Sequence, residues 1–145
     1  MKQKVMLSIC GKQSYMSQEP DVIELVTEGQ MEFKDGGWDI CYAESELTGM
    51  RGVTTTFRIE PEKITLTRSG ALRSQMVFCV GVSHDSLYQM ELGTLMITVC
   101  ATNLFYDITP DGGVVDLSYN IEIEKTEAGK IDYHLLIQPV DASDK

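Results

Sequence analysis

The sequence predicts an all-β domain folded as a closed antiparallel β-barrel of about 8–10 strands, with little or no helix. Apolar and polar residues alternate through most of the chain between Trp38 and Val140, which is typical of strands with one buried face and one solvated face. Turn signals rich in Gly recur about every ten residues, as in all-β domains. No stretch reads as a convincing amphipathic helix. A two-sheet sandwich would show the same alternation and is the rival architecture.

Eleven segments between the turn signals have the composition of strands. Short neighbours such as 86–92 and 94–102 can merge, so nine or ten strands are expected. The segments cover residues 3–11, 21–34, 38–48, 53–60, 63–69, 72–82, 86–92, 94–102, 104–109, 114–125 and 130–140. The turns between them include Asp35-Gly36-Gly37, Glu60-Pro61-Glu62-Lys63, Ser69-Gly70, Ser83-His84-Asp85, Gly93 and Pro110-Asp111-Gly112-Gly113.

The buried face of each segment consists of alternate residues, because successive side chains of a strand point to opposite sides. Segments 53–60 and 72–82 are predicted to bury Val53, Thr55, Phe57, Ile59 and Met76, Phe78, Val80, Val82. Segment 94–102 is predicted to bury Leu95, Ile97, Val99 and Ala101. The clearest hairpin joins 114–125 to 130–140 through a turn predicted at Glu127-Ala128-Gly129, and its inward residues are Val115, Leu117, Tyr119, Ile121, Ile123, Ile131, Tyr133, Leu135 and Ile137.

Length and charge limit the classes of function. The 145 residues suit one domain, with an ordered core over about residues 3–140 and a tail at 141–145. The net charge of −10 disfavours binding to nucleic acid or to anionic membrane surfaces. No segment approaches the roughly 20 apolar residues of a membrane helix.

The cysteines predict a reducing compartment. Cys10, Cys41, Cys79 and Cys100 lie far apart, without the paired spacing of a zinc or redox site. The N-terminal residues lack the apolar run of a signal peptide. We therefore expect a cytoplasmic protein with four reduced, mostly buried thiols.

Several polar residues occupy positions whose side chains are predicted to face the barrel interior. Continuing the alternation of Trp38, Ile40 and Tyr42 brings Glu44 and Glu46 inward, and continuing that of Ile64 and Leu66 brings Arg68 inward. Buried charge is unfavourable unless it is paired, so these groups form either a structural ion pair near the strand ends or a polar anchor inside a ligand cavity. The candidate ligand-binding residues are Tyr42, Glu44, Glu46, Thr55, Arg68, Tyr119 and Tyr133.

All four arginines, Arg51, Arg58, Arg68 and Arg73, lie close together in the sequence. The favoured interpretation is cross-strand pairing with the acidic hairpin at 114–132. The alternative is a docking patch for an acidic partner.

Signals for catalysis are weak, and no catalytic residue, metal ligand or cofactor is predicted. His84 is predicted in a turn and His134 on the outward face of the last strand, and they share no metal-binding spacing. Ser83-His84-Asp85 contains the residue types of a catalytic triad, but adjacent residues cannot form that relay. Glu44 and Glu46 have the separation of a glycosidase pair without any other supporting feature.

One motif resembles a known family. Tyr42-Ala-Glu44-Ser-Glu46-Leu-Thr48-Gly49-Met50-Arg-Gly52, with Thr27-Glu28-Gly29 before it and Leu66-Thr67-Arg68-Ser69-Gly70 after it, is similar to the YwiB-like family of small bacterial proteins of unknown function. The resemblance extends over about residues 3–140. It implies a calycin-like barrel, similar in shape to lipocalins and fatty-acid-binding proteins, and it implies no activity.

Two departures separate the chain from the better-known calycins. Gly36-Gly37-Trp38 fits the lipocalin G-x-W pattern, but it does not lie on the first strand and no arginine follows Arg73. The gap between Gly11 and Pro20 is too short for the helical lid of fatty-acid-binding proteins.

Three hypotheses of function follow. The leading one is a cytoplasmic barrel, not an enzyme, that binds a small anionic or amphipathic molecule in its interior. The alternative is a solid barrel that acts as a protein-interaction module, and a protein partner or homo-oligomer fits this reading. The third is an enzyme of a type that the sequence does not reveal.

The cysteine prediction can be checked directly. Titration of thiols in the denatured, unreduced protein should give four reactive groups, because none of the cysteines has the spacing of a pair. A count of two or zero would contradict both the free thiols and the reducing compartment.

Overall fold

A computed structural model describes residues 2–14, 21–44, 52–90 and 93–140 of the chain. The described residues form ten antiparallel strands and no helix. Their bounds are β1 Gln3–Ser14, β2 Asp21–Lys34, β3 Gly37–Ala43, β4 Val53–Glu60, β5 Lys63–Gly70, β6 Ser74–Phe78, β7 Ser83–Met90, β8 Gly93–Thr109, β9 Gly112–Ile123 and β10 Thr126–Pro139.

The ten strands form a single sheet that curls into a nearly closed barrel. Its order is β6-β5-β4-β3-β2-β1-β10-β9-β8-β7, so that the first and last strands of the order are β6 and β7. These two approach each other where the Arg73 amide donates to the Gln89 carbonyl at 2.9 Å and the Gln89 amide donates to the Arg73 carbonyl at 2.8 Å. The predicted barrel is confirmed, with a gap left between β6 and β7.

The strand count falls from eleven to ten because of a bulge. Predicted segments 94–102 and 104–109 are one strand, β8, whose pairing with β9 shifts between Ala101 and Asn103. The extra residue changes which of the alternating side chains face the core. Odd-numbered residues such as Val99 face the core before the bulge, and even-numbered residues such as Tyr106 pack against the core after it. Segments 86–92 and 94–102, which could have merged, are the separate strands of a hairpin in which Met90 pairs with Gly93.

The prediction for 72–82 is wrong beyond Phe78. Met76 and Phe78 are buried as predicted, but Val80 and Val82 are 57% and 56% exposed. The Val82 amide donates to the Cys79 carbonyl at 3.0 Å, and Gly81 has a φ of 81°. This tight turn ends the strand, and the alternation of β6 no longer applies after it.

Two predicted turns are also wrong. Ser83-His84-Asp85 opens β7, where His84 faces inward together with Ser86 and Tyr88. The hairpin between β9 and β10 turns at Glu124 and Lys125, whose positive φ values of 52° and 67° are those a type I′ turn requires. The Glu124 amide and carboxylate bond the Met96 backbone at 2.8 and 3.0 Å, which ties the turn to β8. Gly129, in the predicted turn, is part of a β-bulge.

Apolar side chains fill the barrel interior. Every strand except β7 contributes a buried apolar side chain, and Tyr88 of β7 packs against this core while partly exposed. Fully buried residues at its centre include Leu7, Ile40, Phe57, Ile64, Phe78, Leu117, Leu135 and Ile137. Thr55 shares the inward face of β4 with Val53, Phe57 and Ile59, as predicted. At roughly 1.5–3 kcal/mol for each large side chain, this burial is the main favourable contribution to folding.

Among the described residues, Arg58 and Arg68 bond partners outside the acidic hairpin. Arg58 lies on the outward face of β4 and bonds Asp39 of β3 at 3.3 Å and the Asp35 carbonyl at 3.0 Å. Arg68 bonds Tyr88, and Arg51 lies outside the described residues. Because β4 and β5 are separated from β9 and β10 by β1, β2 and β3 in the sheet, their arginines pair with nearer strands.

The cysteine side chains are half-buried, not mostly buried as predicted. Cys10, Cys41, Cys79 and Cys100 are free thiols at intermediate exposure. Within the described ranges, no helix is long and apolar enough to cross a membrane.

Close strand packing makes Gly29 sensitive to substitution. A Cβ on Gly29 would lie 2.6 Å from the Cys41 carbonyl oxygen and 2.7 Å from Leu7 Cδ1. We predict that Gly29→Ala lowers the free energy of unfolding by about 1–3 kcal/mol, because a backbone carbonyl in a ladder cannot move aside. Urea unfolding followed by circular dichroism measures this.

Gly11→Ala is the matched control. A Cβ there meets only Tyr133 Cδ2 at 4.0 Å, so the stability should stay within about 0.5 kcal/mol of the original. Equal losses from both substitutions would contradict the close approach at Gly29.

Candidate functional site

A cavity of about 170 Å³ opens at the end of the barrel where β1 ends and β2 begins. Its apolar wall consists of Ile9, Leu25 and Ile131. Gly11, on the inward face of β1, leaves room there because it has no side chain. The volume lies below the ~300 Å³ of pockets for drug-sized ligands, and it is close to the ~150 Å³ that holds a benzene molecule.

Arg68 forms the polar wall of this cavity. It is half-buried on β5 and faces inward with Ile64 and Leu66, as its sequence phase predicted. Its Nη1 donates to the Tyr88 hydroxyl at 3.2 Å. Its Nε is fully buried and has no hydrogen-bond partner among the described residues. The guanidinium therefore has a buried donor that no described residue accepts.

Glu44 follows β3 directly and is 7% exposed, and it accepts a hydrogen bond from Thr55 Oγ1, which is fully buried on β4. Its amide donates to the Val53 carbonyl at 2.8 Å, which holds it at the cavity edge. The opposite charges of Glu44 and Arg68 interact, but the hydrogen bond of the Arg68 guanidinium goes to Tyr88. Glu46, the other predicted carboxylate, lies outside the described residues.

Three tyrosines complete the polar rim. The hydroxyls of Tyr42 and Tyr133 lie 3.3 Å apart, and the Tyr119 ring packs on Phe78 with centroids 4.5 Å apart. Burial raises the pKa of Tyr42 to about 12. Burial also raises the pKa of Tyr119 and Tyr133 above the usual value. All three therefore keep their protons at neutral pH and can donate hydrogen bonds.

Six of the seven predicted candidates are thus described, and the structure brings all six to one end of the barrel. Tyr88, the partner of Arg68, was missed because β7 lacks an apolar face. The alternation of His84, Ser86 and Tyr88 was the available signal. His134 is exposed, and its Nδ1 bonds Asp116 Oδ1 on the outer surface. Within the described ranges, no group of three or more His, Cys, Asp or Glu side chains could hold a metal.

The buried tyrosines predict a loss of stability at alkaline pH. Between the unfolded pKa near 10 and the raised folded pKa, the unfolded chain releases protons that the folded chain keeps. The stability that depends on these protonated tyrosines should therefore be fully present below pH 10. The free energy of unfolding should then fall from about pH 10 to pH 12. Urea titrations at fixed pH, with tyrosinate absorbance at 295 nm, measure this.

Tyr119→Phe should reduce that fall, since it removes one buried titrating hydroxyl. If the tyrosinate signal of folded protein rose fully at pH 10, the burial of these hydroxyls would be contradicted.

Comparisons with known proteins agree with this architecture. A family model described as "Domain of unknown function (DUF1934)" matches residues 7–135. The "Uncharacterized beta-barrel protein YwiB" of Bacillus subtilis (strain 168) is 24% identical over 103 residues, which are 71% of each chain. The crystal structure of the ywiB protein from Bacillus subtilis matches with a TM-score of 0.86 and 18% identity, covering 96% of this chain and 93% of that chain. The chain therefore belongs to the DUF1934 family, and the resemblance to YwiB-like β-barrel proteins is confirmed.

Proposed function

We propose that this protein binds a small anionic, amphipathic molecule in the cavity at the open end of the barrel. Arg68 carries the proposal, because its buried Nε–H has no acceptor among the described residues. A buried donor without a partner is unfavourable by about 1–3 kcal/mol, and a ligand oxygen would remove that penalty.

The other polar groups of the cavity favour a ligand that accepts hydrogen bonds over one that donates them. Glu44 already accepts from Thr55, so part of its accepting capacity is used. The hydroxyls of Tyr42, Tyr119 and Tyr133 stay protonated, and they can donate beside the guanidinium. A carboxylate or a phosphate suits a guanidinium edge with hydroxyl donors around it.

Volume and lining limit the body of the ligand. About 170 Å³ accommodates a short alkyl chain or one ring, and Ile9, Leu25 and Ile131 provide an apolar contact. Exposed residues Asp21 and Ile23 stand at the mouth, so a longer ligand would extend there toward solvent. The ligand class is therefore a small acid with a hydrophobic tail.

The alternative is a protein-interaction module. Val22 and Val26, on the outward face of β2, are 56% and 66% exposed, which supports a contact surface on that strand. The alternative assumed a solid barrel, whereas the described residues leave a cavity at one end.

Binding of hexanoate and of hexanol, measured by isothermal calorimetry, tests the proposal. Both fit the cavity and only hexanoate offers an anionic acceptor, so the protein should bind hexanoate more tightly. Arg68→Met should weaken hexanoate binding about 10–100-fold and leave hexanol binding nearly unchanged, because it removes charge-assisted hydrogen bonds. Arg58→Met, which removes an arginine from the outward face, should change neither affinity.

Gly11→Leu should abolish binding of both probes, because its side chain would fill the cavity. The melting temperature of ligand-free Arg68→Met should stay close to that of the original protein. A large destabilisation that Glu44→Gln reverses in the double variant would instead make Arg68 a structural ion-pair partner and overturn its assignment as an anchor. Equal affinities for hexanoate and hexanol in the original protein would also overturn it.

A further inference from the structure

The gap between β6 and β7 forms a second polar space, separate from the apolar cavity. It is a groove of about 640 Å³. At one end the Arg73–Gln89 backbone pair closes it. At the other end the chain itself passes from β6 to β7 through the turn at residues 79–82, where the Val82 amide donates to the Cys79 carbonyl at 3.0 Å. Between these ties, the described residues of β6 and β7 share no strand pairing. The gap is therefore a slot closed at both ends.

Unpaired buried polar atoms are concentrated along this slot. Among the described residues, four side-chain atoms are fully buried without a hydrogen-bond partner, and all four belong to residues that line the groove: Arg68 Nε, Ser74 Oγ, His84 Nδ1 and Ser86 Oγ. Ser74 is only 8% exposed. Native proteins rarely leave buried polar atoms unpaired, and a cluster of them on three neighbouring strands indicates a ligand site.

The chemistry of the four atoms selects the ligand. Arg68 Nε can only donate, the two serine hydroxyls can each donate, and His84 Nδ1 donates in one tautomer. Arg73 adds a second positive charge at the groove. The lining carboxylate, Asp85, is already bonded to Thr98 Oγ1 at 2.7 Å and to Lys125 Nζ at 3.2 Å. The groove is therefore electropositive in a chain whose net charge is −10.

We propose that the slot between β6 and β7 binds a compact oxyanion of the phosphate class through Arg68, Ser74 and Ser86. Arg68 and Ser74 are direct partners across β5 and β6, and Ser86 lies on β7 across the slot. A tetrahedral oxyanion offers several acceptor oxygens, which suits donors that lie on three neighbouring strands. An extended peptide is less suited, because the Arg73–Gln89 pair at one end and the chain connection at residues 79–82 at the other leave no open end through which a strand could lie along the gap. The slot and the hydrophobic cavity are separate spaces that share Arg68, and its single Nε–H can bond a ligand in only one of them at a time.

Titration with inorganic phosphate at constant ionic strength, followed by ³¹P NMR and calorimetry, tests the site in the full chain. Saturable binding to one site is expected. Ser74→Ala and Ser86→Ala should each weaken phosphate affinity roughly tenfold, because each removes one hydrogen bond to an anion. Ser83→Ala, on the same strand but outside the groove, is the matched control and should leave the affinity unchanged.

Two further measurements distinguish anion binding in the slot from a structural role of the hydroxyls and from binding in the cavity. The ligand-free Ser74→Ala/Ser86→Ala protein should melt at the same or a higher temperature, since it loses two unpaired buried hydroxyls. A lower melting temperature with unchanged phosphate affinity would make these hydroxyls structural and overturn the proposal. Gly11→Leu should retain phosphate binding, and its loss in that variant would place the anion in the cavity instead.

The two proposals share Arg68, but the probes tell their failures apart. Phosphate binding without a preference for hexanoate over hexanol would overturn only the function proposed for the cavity. A preference for hexanoate, with no saturable phosphate binding in the original protein, would overturn only the slot between β6 and β7.

Discussion

The cost of an unpaired strand edge is the constraint on which this structure depends. A curled sheet satisfies its backbone groups only if its first and last strands meet, and here β6 and β7 meet through one antiparallel backbone pair at Arg73 and Gln89. β6 is only five residues long, and Gly81 turns the chain away before a longer edge can form. The barrel is therefore closed by a single backbone pair instead of a continuous ladder, and a slot remains between β6 and β7.

Incomplete closure explains why the inward face of β7 is polar. Away from the slot, strands on all sides contribute apolar side chains, and residues such as Leu7, Phe57 and Leu135 fill the core. β7 faces inward with His84, Ser86 and Tyr88, because a strand beside a gap is within reach of water or a ligand. Arg68 connects the two regions, since it lines both the cavity and the slot and bonds Tyr88 of β7. One guanidinium thus links the two candidate sites.

Glycines decide which parts of the barrel are tight and which are open. Gly29 and Gly113 allow neighbouring strands to approach so closely that a Cβ at either position would overlap a backbone carbonyl oxygen. Gly11 has the opposite effect, since the space beyond its Cα is not filled by a neighbour and becomes part of the cavity. The same residue type therefore makes one region dense and leaves a small binding volume in another.

The sequence by itself determined the all-β class and the inward direction of most strands, including Glu44, Thr55, Arg68, Tyr119 and Tyr133. This was possible because side-chain direction alternates within a strand and needs no partner to be read. It did not reveal the bulge in β8, the turn at Glu124 and Lys125, the exposure of Val80 and Val82, or the slot between β6 and β7. Only the tertiary structure decided these, because register, bulges and closure depend on which strands pair across the barrel, and strands distant in sequence set those pairings.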